Sequence, residues 1–577
     1  MPQQRKKQSF LHGALILSAA AILTKIIGAL FFKIPLQKIN DTAYGYFEAV
    51  FNIYIPIYIV STAGFPIAVS RMVSQSIALG RYRDVRVIRR VANKVFWITG
   101  LAGTMLMIAA SFFYPQYVDL SNARLTMLIM APSILFCCLM TAYRGIYEGS
   151  RNMIPTAVSQ IVEAVGKLIF GISLAAGALQ LGQWQYEQGF KVFGKQAVSA
   201  EHALEISLPF IAAGGMFGVT AGSFFSLFYL FVRYHRHGSG ITRDELLGAP
   251  RPHSTRAVFR SLLRFAIPVA IGTLATQLTT IIDVVSFQKS LAVVVANNGD
   301  VVRGVYQKAI DLSGTTDILA FLTGNRGIAM TYVNLVPNIT LSLGISALPV
   351  ITSAWALRDK AQLRSITAAV LRITILIALP SGLGLSVLAR PIMKFIYDQS
   401  TAMVAGPQLE VLGFAVVFIC LVAPINAMLQ AMGRADIPAK IVLVGGGIKL
   451  LLNTLLILNP RINIMGSAYS TLACYVVMVI LSLYGLRNVM KMPIRWRSIF
   501  PKPIFASLCC SVAAWAVNGL LSRFVSDGIA VVIAILSAVV VYIWVLLSTR
   551  AITSEDVLML PKGQKIAQIL AKYNFLG

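Results

Sequence analysis

Acidic residues are scarce in this chain. Its 577 residues include 22 Asp and Glu against 50 Lys and Arg, and charged residues of both signs make up only 12% while 57% are hydrophobic. A soluble core cannot absorb that much apolar surface, so a polytopic membrane protein is expected. Cysteine is sparser still: Cys137, Cys138, Cys420, Cys474, Cys509 and Cys510 all fall inside apolar runs, with no disulfide or zinc spacing. They read as small apolar residues. Of the five histidines, His235 and His237 sit in a basic loop without the cysteine or carboxylate arrangement of a metal site. No GxxxxGK[ST], HExxH or GxSxG occurs, so hydrolysis of ATP or peptide has no visible machinery. The chain is expected to be neither an enzyme nor the holder of a cofactor or metal. Whatever it moves would be driven by a gradient or a partner.

Runs of about 20 apolar residues mark membrane-crossing helices. They fall near 11–32, 49–70, 95–114, 125–143, 155–178, 206–232, 265–288, 328–352, 367–388, 408–430, 441–458, 466–486, 503–521 and 529–549. The fold class is therefore all-α, with about fourteen transmembrane helices. The first run follows Arg5, Lys6 and Lys7 like a signal peptide, but it is too long for one and contains Lys25, so it reads as an uncleaved span.

The net charge of +28 would suggest nucleic acid in a soluble protein. Its distribution says otherwise. With the N-terminus inside, inner segments hold 33 Lys and Arg and outer segments 13, and the remaining four (Lys25, Lys167, Arg372 and Lys449) lie within spans. This is the positive-inside pattern, and it places both termini in the cytoplasm of a multi-pass plasma-membrane protein. The basic stretches Gly80 to Arg90 and Arg233 to Arg260 then read as topology signals and contacts for anionic membrane lipids. Nucleic acid is not an expected partner.

The chain repeats itself. "GFPIAVSRMVSQSIALGRYRD" after Ala63 resembles "ALPVITSAWALRDKAQLRS" after Ser346, and "SRNMIP" from Ser150 resembles "GRADIP" from Gly433; both matches have the same offset of 283. Residues 1–232 and 265–487 are expected to be two six-helix lobes, joined by a basic cytoplasmic linker over 233–264. Two extra helices over 488–549 and a cytoplasmic tail over 550–577 would follow. Six spans is an even number, so the copies share orientation, as in several secondary transporters. Lys33 precedes Pro66 by 33 residues, whereas Lys289 precedes Pro349 by 60, so the second copy carries an outer insertion around 290–325. An interfacial helix or a loop would both fit it. Pro66 and Pro349 sit at matching places in Gly- and Pro-rich second spans and are candidate hinges.

Charges inside spans are costly, at about 2.5–3.5 kcal/mol each on insertion scales, so they face a partner or a watery cavity. Lys167 and Lys449 recur at similar depth in the fifth span of each copy, 12 and 11 residues after Pro155 and Pro438. Glu163 and Lys167 share a helix face at i and i+4 and could pair. Lys449 could meet Asn453 or the carbonyls of "VGGG". These three either brace the lobes or line a cavity. Lys25 and Asp283 lie in corresponding spans, where they could pair across the copies, or Lys25 could face an anionic substrate.

Three stretches carry a family resemblance: "STAGFPIAVSRMVSQSIALGR", "YRGIYEGSRNMIPTAVSQIVEAVGKLIFG" and "NAMLQAMGRADIPAKIVLVGGGIKLLLNTLLI". They resemble the polysaccharide-exporter superfamily, and within it the Gram-positive branch of stage V sporulation protein B and the lipid II flippases. The resemblance implies two six-helix lobes around a cavity lined by spans 1, 2, 7 and 8, with the two extra helices forming a groove for a lipid tail. It implies an undecaprenyl-pyrophosphate-linked cell-wall precursor, most simply lipid II, moved to the outer leaflet by alternating access, and it leaves open a cell-wall synthesis enzyme that delivers the cargo. "TKIIG" places Lys25 where the family's basic residue is thought to meet the pyrophosphate. The further Arg-Asp pair of Gram-negative members is absent; "ALFFK" stands there, with Lys33 one position along. Lys33 and Arg71 would assist in binding, and Asp283 would couple a cation or gate the cavity. The alternatives are a multidrug/cation antiporter of the same superfamily and a non-transporting membrane scaffold in sporulation. The antiporter would want unpaired carboxylates inside, whereas the charges here are mostly lysines.

Overall fold

A computed structural model describes residues 10–62, 64–150, 152–315, 317–337, 340, 351, 354–355, 357–434, 436–491 and 500–551. The chain is all-helical, and no strand is found among the described residues. Twelve helices there are long and apolar enough to cross a membrane. The two expected spans missing from that set are the second, 49–70, and the eighth, 328–352. The second is broken physically. The helix α3, Asp41–Thr62, ends before Gly64, whose φ of 71° is left-handed backbone that suits glycine, and α4, Phe65–Ala78, begins there. Pro66 occupies the first turn of α4, where its missing N–H costs nothing, so it starts a helix and does not kink one. The eighth span runs into residues outside the described set, and Pro349 lies among them.

The chain forms two compact units, Met1–Val285 with Thr315–Gly324, and Ser286–Gly314 with Asn325–Gly577. In the first unit the opening span has three parts. The helix α1, Phe10–Ile26, gives way to a π-helical stretch, Ile27–Lys33, and then to α2, Ile34–Ile39. A π stretch widens the helix and turns its side chains off the α-helical register, and such stretches are frequent at functional sites. Behind it stand α5, Tyr82–Tyr117; α6, Arg124–Gly149; α7, Ile154–Glu187; and α8, Ala200–His237. The α7 and α8 backbones touch. A Cβ on Gly218 would lie 2.4 Å from Gly171 Cα, and one on Gly222 would lie 2.4 Å from the Glu163 carbonyl oxygen. In lipid, helices hold together by such close approach, not by hydrophobic exclusion. Gly218→Leu is therefore expected to force α7 and α8 apart, and folded protein recovered from membranes should drop sharply against the parent chain by size-exclusion chromatography.

A short helix, α9, Arg243–Leu247, lies in the linker, and α10, Thr255–Ser313, follows it. The backbone of α10 breaks only at Asn298 (φ −135°, ψ 37°), so the residues after it in the outer insertion are helical to Ser313. In the second unit, the Tyr306 hydroxyl donates to Asn463 Oδ1 at 2.7 Å, tying that helix to the turn that opens α16. After α11, Ile318–Val333, come α12, Lys360–Val387; α13, Ala389–Ile396; α14, Gln399–Ala431; α15, Asp436–Ile457; and α16, Ile464–Met490. Leu371, Ile375, Leu421, Ile425, Met428, Cys474 and Leu486 form a buried core among α12, α14 and α16. The extra pair, α17, Pro501–Leu521, and α18, Asp527–Ser548, pack on each other, and α17 packs on α12. The Tyr542 hydroxyl donates to the Leu376 carbonyl at 2.7 Å. An apolar cavity of about 400 Å³ opens there, lined by residues such as Leu335, Pro380, Gly384, Ala514 and Val539.

Candidate functional site

Of the charges that the sequence places inside spans, Lys167 comes to rest against α3 in the first unit, next to Lys33. That helix presents Tyr44, Phe47, Phe51, Tyr54 and Tyr58 at spacings of three and four, one face of a 3.6-residue period, and their rings follow one another with centroids 5.6–6.1 Å apart. Glu48 stands beside this ladder, only 2% exposed. Lys33, delivered by the last residue of the π stretch, pairs with Glu48 Oε1, and the Tyr44 hydroxyl donates to the same oxygen at 2.7 Å. Phe32, one residue earlier and fully buried, packs at 5.6 Å from the Phe47 ring.

Lys167 enters from α7. Its ammonium lies 4.4 Å from the Phe32 centroid, 5.0 Å from Phe51 and 5.9 Å from Phe47. The Lys33 ammonium lies 5.5 Å from the same Phe51 ring. Two cations thus share one aromatic wall and one adjacent carboxylate. A cation over ring faces gains about 2 kcal/mol or more when desolvated, which offsets much of the cost of its burial. The expected Glu163–Lys167 pairing is not what the structure shows. Glu163 instead accepts from Arg144 Nη2 at 2.9 Å, and Arg144 Nε donates to Ser159 Oγ at 2.9 Å. The i,i+4 argument sees a single helix, and Arg144 competes from α6.

The remaining candidates are dispersed. Lys25, in the last turn of α1, is exposed and carries no ion pair with a described residue. It is not joined to Asp283, which is partly buried on α10. Arg71 is exposed on α4. Lys449 is buried on α15 in the second unit; one turn on, Asn453 accepts from Ser470 Oγ at 2.5 Å and donates to Ser286 Oγ at 3.2 Å. The six cysteines are free thiols, and no cluster of metal-ligating side chains is found among the described residues.

The sequence pattern does not single out Glu48, Arg144 or Arg326. The first two stand at span edges, where a charge reads as part of a loop. Arg326 lies in α11, Ile318–Val333, which begins ten residues before the apolar run at 328; it is 5% exposed, donates to Ser467 Oγ at 2.8 Å and lies 4.1 Å from the Phe287 ring. In both units, then, a cation rests on an aromatic face.

An all-helical, multi-pass membrane protein with a cationic interior is a class, and comparison with known proteins narrows it. Residues 332–543 match the family described as "Lipid II flippase MurJ", and residues 10–186 match the family described as "Polysaccharide biosynthesis protein". The chain is 23% identical to stage V sporulation protein B of Bacillus subtilis, covering 96% of this chain and 98% of that one. It is 25% identical to the lipid II flippase MurJ of the same organism, covering 82% and 81%. Among solved structures, a lipid II flippase MurJ in an inward closed conformation superposes with a TM-score of 0.60 at 14% identity over 92% of this chain and 98% of that one. A multidrug resistance MATE family transporter in an inward-facing conformation gives 0.54 at 12% over 83% and 99%. The resemblance to the polysaccharide-exporter superfamily, and within it to the stage V sporulation protein B and lipid II flippase branch, is borne out by these matches.

Proposed function

We propose that this protein is a flippase that carries an undecaprenyl-pyrophosphate-linked cell-wall precursor, lipid II in the first instance, from the inner to the outer leaflet of the bacterial plasma membrane. It would do so by alternating access of its two units, without covalent chemistry and with both termini in the cytoplasm. The observation that carries this reading is the state of the cations. Lys33 is committed to Glu48 and Lys167 to three aromatic rings, while Lys25 stands exposed in the first span without an ion pair to a described residue. A point charge on a flexible stem in low dielectric suits a diphosphate. Arg71 would assist, and Asp283 would couple an ion or gate the path. Lys33, paired with Glu48, would then not itself be the ligand.

The apolar cavity beside α17 and α18 suits the lipid tail, since an isoprenoid chain needs a dry, uncharged wall. A Cβ on Gly384 would meet nothing within 4 Å. Gly384→Leu is therefore expected to fill the cavity without unfolding α12, lowering transport while the melting temperature stays near the parent value.

Native mass spectrometry of the purified protein with undecaprenyl pyrophosphate tests the binding step. The parent chain should retain the lipid and Lys25→Ala should retain much less, whereas equal retention by both would remove Lys25 from the site. An antiporter of cationic drugs is disfavoured because Glu48, which is buried, and Glu163, which is partly buried, are already paired with cations.

A further inference from the structure

The two copies of the repeat are joined by a linker, and its packing is unlike anything the repeat itself requires. At the start of α5, three neighbouring residues hold three points of the linker. Arg83 Nε and Nη2 donate to the carbonyls of Leu246 and Leu247, at 2.9 and 3.3 Å, capping the C-terminal end of α9. Arg81 Nη2 donates to the Arg251 carbonyl at 3.2 Å. Asp84 is 3% exposed; its Oδ1 accepts the backbone N–H of His253 and its Oδ2 lies against His253 Nδ1, both at 2.7 Å, while Arg81 Nε donates to Oδ2 at 2.7 Å.

The next residue after His253 is Ser254, whose Oγ accepts the Ala257 N–H and whose carbonyl accepts the Val258 N–H. This is the N-cap of α10. The residue fastened to Asp84 is thus the one immediately before the helix that opens the second copy. Upstream, a capping box opens α9, with Thr242 Oγ1 accepting the Glu245 N–H and the Glu245 carboxylate accepting the Thr242 N–H. From Thr242 to His253 there is a satisfied local turn or an anchor every few residues.

The repeat supplies an internal control. At its offset of 283, Arg81 corresponds to Arg364, but Arg83 corresponds to Ile366 and Asp84 to Thr367. Both of these are buried, and Thr367 Oγ1 packs on Met490 Sδ. The fold of a six-helix unit therefore does not need an acid at this place. The helix α5 is 36 residues, about 54 Å at 1.5 Å per residue, well over the roughly 30 Å of a bilayer core. Its charged first turns, with Asp84, stand outside the apolar stretch. Burial acts to raise the pKa of Asp84, and the hydrogen bonds from Arg81 and His253 outweigh it, holding the carboxyl below its ordinary value.

We infer that Asp84 is the mooring point of the linker between the two copies, a positioning residue that fixes the origin of α10 on the first unit. The effective tether between copies is then not a slack basic loop of some thirty residues but a fastened strap that ends at His253. This inference does not depend on what the protein transports.

Hydrogen–deuterium exchange on the purified full chain tests it, read over the peptide spanning 242–257. Asp84→Ala should speed exchange there about tenfold or more, because a charge-assisted bond and its neighbours are lost, while peptides in α7 and α8 keep the parent rate. His253→Ala should raise the same peptide through the side-chain contact alone, and it serves if the Asp84 variant does not fold. The pair Asp84→Cys with His253→Cys, oxidised, should return the peptide to slow exchange although the carboxylate is gone, and reduction should release it again. Parent-like exchange in the Asp84→Ala and His253→Ala chains, or fast exchange in the oxidised double-cysteine chain, would overturn the mooring.

Discussion

Glu48→Ala is expected to destabilise the protein by about 3–5 kcal/mol, the cost of breaking a buried ion pair by removing one partner. The change would take from the Lys33 ammonium the carboxylate it pairs with and from the Tyr44 hydroxyl the oxygen it donates to, with a second ammonium, Lys167, on the same aromatic wall. The measurement is thermal unfolding in detergent. A companion variant separates charge imbalance from lost packing. Glu48→Leu combined with Lys33→Met removes both charges and keeps apolar volume, so most of the loss should be recovered, since apolar replacement of a buried pair is often neutral or stabilising. A Glu48→Ala protein that melts with the parent would mean the site is open to water and the pair is a surface contact.

Lys167→Met is expected to give the opposite separation: stability equal to or above the parent, with transport reduced to background. The lysine stem and the methionine side chain cover similar apolar area, so the contacts with Phe32, Phe47 and Phe51 are largely kept. What disappears is a positive charge whose insertion costs about 2.5–3.5 kcal/mol. No ion pair to Lys167 exists among the described residues, so stability alone gives little reason to retain the charge. Thermal unfolding and a transport assay on the same preparation decide the matter. Loss of both together would make Lys167 a brace for α7 and nothing more.

The membrane class of this protein and the lysines within its spans are legible in its sequence because they rest on long apolar runs. The partners of those lysines are not. Glu163 and Lys167 share a helix face, yet Arg144 reaches Glu163 from α6, and a tertiary contact of that kind leaves no mark in the spacing of one helix. The π stretch, Ile27–Lys33, is equally silent, because its composition is that of any apolar span; it nonetheless decides that Phe32 and Lys33 face α3. Glu48 escapes for a simpler reason. It stands at the head of an apolar run, where a carboxylate reads as interfacial until packing shows it 2% exposed. Pro66 shows the same limit in reverse: a Gly-Phe-Pro sequence announces a break, but only the left-handed Gly64 shows that the break is a new helix start and not a kink.

Lys25 is proposed to meet an anionic lipid-linked precursor on its way across the membrane. The most direct measurement is made in cells depleted of their own lipid II flippase and expressing either this chain or Lys25→Ala, following the arrival of lipid II at the outer leaflet with protein levels matched. The parent chain should restore arrival and the equally abundant Ala form should not. Restoration by both would contradict the role of Lys25, and restoration by neither, with both well expressed, would contradict lipid II as the cargo.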